Sequence, residues 1–317
     1  MLVPVDLPLP IPGPGQVRVR ASVIGLGGPD VLIRNGTYKW MPPLPAIPGN
    51  EMAGTIDAVG EGVSADRLGQ RVFVSARELS QRGGCYAEAI CVPSEAPFVL
   101  PDAVSFEQAV CLGNFQLAAA MLDFADPARK ATSLLLPGVA GGVASAMVQI
   151  ARLRGMRCIG TASTQEKRDA ALANGVDVVL NAKPEDLPEQ VRQATGGVGV
   201  DLAYDHVGAD LLIACMRSLA PLGTAVSYNI AGGPPSQDVF NELRKRLGDS
   251  LGIRCFSIHT FDSHPALRRG WMQQAIDLMA EQRIHAPPIT RLPMSQVRQA
   301  HELLDTGLTL GKIVMQP

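Results

Sequence analysis

The residues best placed to do chemistry lie in one turn. Residues 132–161 read T-S-L-L-L-P-G-V-A-G-G-V-A-S-A-M-V-Q-I-A-R-L-R-G-M-R-C-I-G-T. A short apolar run, Ser133–Leu136, meets Pro137-Gly138 and then Gly141-Gly142. An amphipathic segment follows to Arg154, Gly155 ends it, and Arg157–Thr161 reads as a second strand. That order is strand, glycine turn, helix, strand. Backbone N–H groups in such a turn can approach an anion closely, and the helix dipole favours negative charge there. The chemistry predicted is phosphate binding, with Gly141, Gly142, Val143 and Ala144 as the residues of a dinucleotide diphosphate site. The strict spacing G-x-G-x-x-G would place Gly at 139, where Val139 stands. Gly141 and Ala144 fill its second and third positions, and Gly138 offers a shifted G-x-x-G-x-x-A reading.

The end of the second strand decides which dinucleotide is expected. An Asp or Glu there would hold a ribose 2′-hydroxyl and select NAD. This strand ends Gly160-Thr161-Ala162-Ser163, without an acid, and Lys167 and Arg168 follow within one helical turn. Small hydroxyl residues beside a cation suit a 2′-phosphate, so NADPH is the expected cofactor, held there by Thr161, Ser163 and Lys167. The alternative is that Lys167 and Arg168 are simply solvated helix residues.

Other reactive side chains are scattered. The six cysteines contain no C-x-x-C pair and read as buried, reduced thiols. His206 follows Asp205, but neighbours on a strand point to opposite faces, so the two are not a ready dyad. No His or Cys spacing suggests a metal site, and none is expected.

The elements that must position the turn follow from periodicity. From Thr132 strands are predicted at 132–136, 157–161, 177–180, 200–204, 224–228 and 251–257. Helices fall between them at 142–154, 164–173, 185–194, 209–219 and 237–247. Gly155, Gly175, Gly196-Gly197, Gly223 and Gly248 stand at helix ends, where left-handed caps are expected. This alternation describes a doubly wound parallel sheet. Residues 1–100 differ: they are rich in Gly and Pro, with short strands at 16–22, 55–59, 70–75 and 87–92, which implies a β-rich, barrel-like domain. Ser105 and Gln108 fit a capping box that opens a helical stretch to about Ala125. The tail carries helices at 265–282 and 295–304 and a closing strand at 311–315, and is expected to rejoin the first domain. The expected boundaries are 1–113, 114–253 and 254–317.

Composition narrows the partners. The chain has 317 residues, 46% hydrophobic and 18% charged, with net charge −2, which suits a globular protein of two domains. No basic stripe is visible and aromatic content is only 4%, so nucleic acid is not an expected partner. The uncharged run 131–151 breaks at Pro137-Gly138 from strand to helix, so it reads as a buried strand and its turn, not as a membrane span. The first residues carry no basic and apolar pair of regions, so no signal peptide and a cytoplasmic location are expected.

Several motifs in order carry a resemblance over nearly the whole chain. They are Gly36-Thr37-Tyr38, Pro48-Gly49-Asn50-Glu51-Met52-Ala53-Gly54, Val59-Gly60-Glu61-Gly62-Val63, Leu100-Pro101-Asp102, Ala140-Gly141-Gly142-Val143-Ala144, Tyr204-Asp205-His206-Val207-Gly208 and Gly311-Lys312-Ile313-Val314. The chain resembles the medium-chain dehydrogenase/reductase superfamily, in its zinc-independent quinone oxidoreductase branch. The resemblance implies an α/β fold in which a Rossmann doubly wound parallel sheet is inserted into a GroES-like β-rich catalytic domain. It also implies cofactor contacts at Asn181, Gly208, Ser227, Tyr228 and Asn229, with Phe256 approaching the nicotinamide. Zinc-dependent relatives place a Cys near the first helix and a His before the Glu of P-G-H-E. Here the first region reads Gly25-Leu26-Gly27-Gly28-Pro29-Asp30, and Asn50 stands where the His would be. A neutral amide is a poor zinc ligand beside imidazole or thiolate.

Without a Lewis acid, reduction of an activated acceptor is expected: a quinone, enone, enal or enoyl thioester. The nicotinamide delivers hydride, and the developing oxyanion needs a donor. Tyr38 matches the family's Gly-x-Tyr tyrosine near nicotinamide and substrate; the competing view is that it only packs beside a proline-rich loop. Three departures stand out. Gly27 replaces the Asn of the family's Val-Asn-x-x-Asp, Ala182 replaces an adenine-side Tyr or His, and relatives have roughly twenty more N-terminal residues. The last implies a trimmed domain or an internal start. Two alternatives therefore stay open: a zinc-free alcohol dehydrogenase or biosynthetic enoyl reductase, and a cofactor-binding protein with little turnover. Open Rossmann sheets expose an edge strand, so a homodimer is expected.

Overall fold

The computed structural model describes residues 2–181, 183–307 and 309–317. The chain divides into two compact units, Met1–Gly113 with Arg269–Pro317, and Asn114–Arg268. In chain order the elements are β1 (Gln16–Gly25), α1 (Gly28–Arg34), β2 (Glu51–Val59), β3 (Arg71–Ser75), β4 (Ala89–Pro93), β5 (Phe98–Val99), α2 (Phe106–Ala109) and α3 (Leu112–Ala125). The alternating stretch follows: β6 (Ser133–Leu136), α4 (Gly142–Leu153), β7 (Arg157–Thr161), α5 (Gln165–Ala173), β8 (Val178–Leu180), α6 (Leu187–Ala194), β9 (Val200–Asp205), α7 (Ala209–Arg217), β10 (Leu219–Ser227), α8 (Val239–Lys245) and β11 (Gly252–Cys255). The tail holds α9 (Pro265–Ala280), β12 (Ile289–Pro293), α10 (Val297–Thr306) and β13 (Lys312–Gln316).

In the first unit, the V-R-V-R alternation of β1 sends Val17 and Val19 inward, both fully buried, and Arg18 and Arg20 outward. Both arginines bond Asp57 of β2, at 2.7 and 2.8 Å. The inward set meets Met52, Ile56, Val72, Val74 and Val92, and each such side chain contributes about 1.5–3 kcal/mol by leaving water. β1 pairs antiparallel with β2, β4 and β13. The tail therefore rejoins this unit: Ile24 opposes Met315, and Ile313, Met315 and Ala300 complete a second core around Ile24 and Leu26. β12 lies parallel to β13 at the edge of the sheet. The capping box is present, with Ser105 Oγ accepting from the Gln108 amide at 3.2 Å and Gln108 Oε1 from the Ser105 amide at 2.8 Å.

The second unit carries six parallel strands in the order β11-β10-β9-β6-β7-β8. β6 is central, and Leu134, Leu135 and Leu136 are buried, as a strand covered on both faces requires. Asp201 fixes the entry of β6 against β9: one carboxylate oxygen accepts from the amides and hydroxyls of Thr132 and Ser133, at 2.7–3.1 Å. Burial alone would raise the Asp201 pKa, but these bonds carry it below the ordinary carboxylate range. The strand order reverses between β7-β6 and β9-β10, so the topological switch point lies at the carboxyl ends of β6 and β9. The unit extends to Arg268, beyond the expected break at 253/254, and β11 stays paired to β10 through Cys255.

Two of the expected glycine caps are absent. Gly155, Gly175, Gly196 and Gly197 have positive φ, but Gly223 and Gly248 do not. Leu222 and Ser250 take the left-handed positions instead, at φ 65° and 53°. Gly223 answers to crowding: a methyl group there would meet the Ala220 carbonyl at 2.8 Å and that of Val200 at 3.0 Å. Among the described residues no helix is long and apolar enough to cross a membrane.

Candidate functional site

The glycine turn sits at the switch point. After Pro137, Gly138 adopts φ 63° and its amide donates to Thr161 Oγ1 at 3.1 Å. The Val139 amide donates to the Thr161 carbonyl at 3.0 Å, and that of Gly141 to the Gly138 carbonyl at 2.9 Å. Gly141 is the N-cap of α4, extended at φ −71° and ψ 152°, and it has no side chain to cap the first amides. Those amides have no intrahelical acceptor, so the helix start is open to an anion. Gly142 faces Asn114 of α3: a methyl group at 142 would stand 2.7 Å from Asn114 Nδ2. Asn114 therefore belongs to the turn, although no spacing in the sequence marks it. Ala144 is buried in the first turn of α4.

Val139, which breaks the strict fingerprint, is explained by Gly160 on β7. A methyl group at 160 would lie 2.6–2.9 Å from the Val139 side-chain carbons. Val139 is itself buried. The volume that a glycine would leave empty on the turn is left empty on the neighbouring strand instead.

At the end of β7, Thr161 is committed to the turn, Ala162 is buried and Ser163 is exposed. Thr164 caps α5, its hydroxyl accepting from the Lys167 amide at 3.2 Å, so Lys167 and Arg168 lie in the first turn of α5. No carboxylate stands between Thr161 and Thr164. Asn181 is exposed after β8, and the expectation about Ala182 lies outside the described residues.

Across the switch point, Asp205 ends β9 buried. Its carboxylate accepts from the Val207 amide at 3.1 Å and the Gly208 amide at 2.8 Å. Burial raises its pKa, against these bonds. Gly208 has φ 77°, and a methyl group there would meet the Gly233 carbonyl at 2.4 Å. The His206 ring lies over Gly138, and its centroid is 5.9 Å from that of Tyr228. Burial pushes the Tyr228 phenol up. Ser227 is buried, and Asn229 is exposed with its side-chain oxygen on the Ile230 amide. Phe256 is 7% exposed and packs edge-on to Phe124 at 5.3 Å and beside Phe261 at 6.1 Å. The structure thus gives Phe256 a place in an aromatic cluster.

The first unit holds the other candidates. Tyr38 follows α1, with its ring 5.7 Å from that of Trp40 at 59°. Asp30 is buried and accepts from the Gly27 amide at 2.9 Å and from Asn50 Nδ2 at 2.7 Å. Burial raises its pKa to about 6. Glu51 forms an ion pair with the buried Lys312. Burial disfavours the Lys312 charge, but Glu51 and its neighbours carry the pKa above the ordinary value. A methyl group at Gly27 would sit 3.6 Å from Pro29 Cδ, 3.9 Å from Asp30 Oδ2 and 4.0 Å from Lys312 Nζ, so a methyl is accommodated there. Tyr86 links to His301, hydroxyl to Nε2, at 3.1 Å.

Comparison with known proteins follows the same division. The alcohol dehydrogenase GroES-like domain matches residues 13–102, and the zinc-binding dehydrogenase domain matches residues 142–267. The chain is 30% identical to a quinone oxidoreductase of Salmonella typhimurium, over 93% of this chain and 89% of that one. It is 36% identical to the human synaptic vesicle membrane protein VAT-1 homolog, over 94% of this chain and 78% of that one. Among solved structures, the Escherichia coli quinone oxidoreductase complexed with NADPH aligns with TM-score 0.85 at 28% identity, covering 99% of this chain and 95% of that one. The chain belongs to the medium-chain dehydrogenase/reductase superfamily, in its quinone oxidoreductase-like branch.

Proposed function

We propose that this protein is an NADPH-dependent oxidoreductase that reduces quinones or α,β-unsaturated carbonyl compounds without zinc. The observation that carries the reading is the pairing of an open helix start at Gly141-Gly142 with an acid-free strand end at Thr161–Ser163. The first suits a diphosphate and the second a 2′-phosphate. The NADPH held by the aligned Escherichia coli enzyme supports the same cofactor here.

The residues present fit that group. The amides of Gly142 and Val143 would take the diphosphate, and Ser163 and Lys167 the 2′-phosphate. Gly208, Ser227, Tyr228 and Asn229 are assigned to the crevice at the carboxyl ends of β9 and β10, and Asn181 to the adenine side. When bound, NADPH supplies the hydride. Tyr38 is assigned to the acceptor, its hydroxyl donating to the oxygen that gains negative charge.

Zinc does not fit the donors. Among the described residues no group of three or more His, Cys, Asp or Glu side chains could hold a metal ion. Asn50 is spent on Asp30, and Glu51 on Lys312. An acceptor already polarised by conjugation needs no Lewis acid, which favours quinones, enones and enals over simple alcohols.

Two measurements test the reading. Lys167→Ala should weaken NADPH about tenfold or more in fluorescence titration, as expected for a lost charged hydrogen bond, while leaving NADH nearly unchanged. Equal effects on both cofactors would remove Lys167 from the 2′-phosphate. Assays with 1,2-naphthoquinone, an enal and an enoyl thioester separate the acceptor classes. A homodimer through the edge strand β11 belongs to the same reading, and a monomer by light scattering at micromolar concentration would contradict it.

A further inference from the structure

We propose that His206 is a cofactor-positioning residue whose Nε2–H donates to the diphosphate of the bound dinucleotide. This rests on the NADPH reading above and assigns to that site a residue of the Tyr204–Gly208 motif for whose side chain the sequence alone suggests no role.

His206 lies where the two halves of the sheet part. It follows the last residue of β9, while Gly138 follows β6, and β6 and β9 are neighbours across the switch point. The imidazole covers the side of Gly138 that has no side chain: a methyl group there would be 3.1 Å from His206 Cε1 and 3.6 Å from Nε2. The ring therefore stands over the turn that leads to the open amides of α4.

Its protonation follows from burial. Nδ1 is buried and has no hydrogen-bond partner among the described residues. The adjacent carboxylate, Asp205, already serves the Val207 and Gly208 amides. A buried N–H without an acceptor is rarer than a buried lone pair without a donor, so the single proton of the neutral ring belongs on Nε2. Nε2 is then a donor on the ring edge nearest Gly138. If the ring served only to pack against Gly138 and Tyr228, an apolar side chain would do so without the cost of the unpaired Nδ1. A diphosphate at the α4 N-terminus gives Nε2–H the anionic acceptor that the protein itself does not supply.

The test uses the full chain and two substitutions of similar polarity. An Asn amide nitrogen reaches the place of Nδ1, whereas a Gln amide nitrogen reaches that of Nε2. Dissociation constants for NADPH come from its fluorescence, and competition gives inhibition constants for 2′-AMP, which carries the 2′-phosphate but no diphosphate. Expected are a rise of about 10- to 100-fold in the NADPH constant for His206→Asn, a change within about threefold for His206→Gln, and unchanged 2′-AMP constants in both. NADPH constants equal to wild type in both variants would overturn the proposal. So would parallel losses for NADPH and 2′-AMP, which would mark a packing role. A wild-type protein that does not bind NADPH would overturn the cofactor reading, and this assignment with it.

Discussion

Gly160→Ala is the sharpest perturbation of the turn. On backbone grounds alone the change should help, because Gly160 lies in β7 without positive φ, and Gly in a strand costs roughly 0.5–1 kcal/mol relative to Ala. The new methyl, however, would stand 2.6 Å from Val139 Cβ, 2.7 Å from Cγ1 and 2.9 Å from Cγ2. Real Cβ atoms do not approach carbon so closely, so the strand or the turn must shift. Overpacking of this kind costs about 1–3 kcal/mol. The clash outweighs the backbone gain, and the net loss should be about 1–2 kcal/mol. For a unit of this size that lowers the melting temperature by roughly 2–4 °C per kcal/mol. In a Val139→Gly background the obstruction is gone, and the same Gly160→Ala change should be neutral or stabilising by up to about 1 kcal/mol. The double-mutant cycle, read by chemical denaturation, should therefore give a coupling of about 1–3 kcal/mol. A Gly160→Ala cost that is the same in both backgrounds would refute the explanation of Val139.

Other consequences concern the first unit. Lys312→Met should lower stability by about 3–5 kcal/mol, because it strands the partner carboxylate of Glu51, while the Glu51→Met/Lys312→Met double variant should recover most of that loss in denaturant melts. Asp30 has its folded pKa raised above its unfolded value, so its stabilising contribution is present at acid pH and is lost as pH rises through about 6. Asp30→Asn should thus gain stability relative to wild type by about 2 kcal/mol between pH 4 and pH 7, whatever its offset at pH 4; a difference independent of pH would contradict the buried, high-pKa carboxyl. Ser105→Ala removes one half of the capping box at α2 and should cost about 1 kcal/mol, measurable as a small fall in the melting temperature.

Much of this could be read in the chain because local chemistry and long-range structure agree. The strand–helix alternation after Thr132 survives folding because the central strand β6 is a buried apolar run and helices such as α4 and α7 bury apolar side chains against the sheet's core. The Gly138–Gly142 turn is legible because only glycine tolerates φ 63° beside a crowding imidazole. What the chain hides is spatial. The two-residue β5 and the edge strand β12 are too short or too irregular for a period to show, and both form because a paired neighbour accepts them. Gly223 resembles a helix cap but is demanded by two carbonyls, from Ala220 and Val200. Val139 looks like a defect until Gly160 is seen opposite it. Asn114 lies in no motif, and His206 lies in one that gives its side chain no role, because the meaning of each depends on which glycine it faces. Phe256 fits a family position, and the structure adds its ring contacts with Phe124 and Phe261, which no spacing in the sequence shows. The second unit outruns its expected boundary: β11 pairs with β10 through Cys255, and the unit runs on to Arg268.

Hydride transfer from NADPH to a conjugated acceptor is the proposed reaction of this fold. The most direct measurement is the decay of reduced-nicotinamide absorbance with purified protein and 1,2-naphthoquinone, with NADPH and NADH compared side by side. Turnover is expected with kcat/KM at least about tenfold higher for NADPH, the value of one charged hydrogen bond to the 2′-phosphate. Equal use of both cofactors, preference for NADH, or binding of NADPH without consumption across quinone and enone acceptors would contradict it.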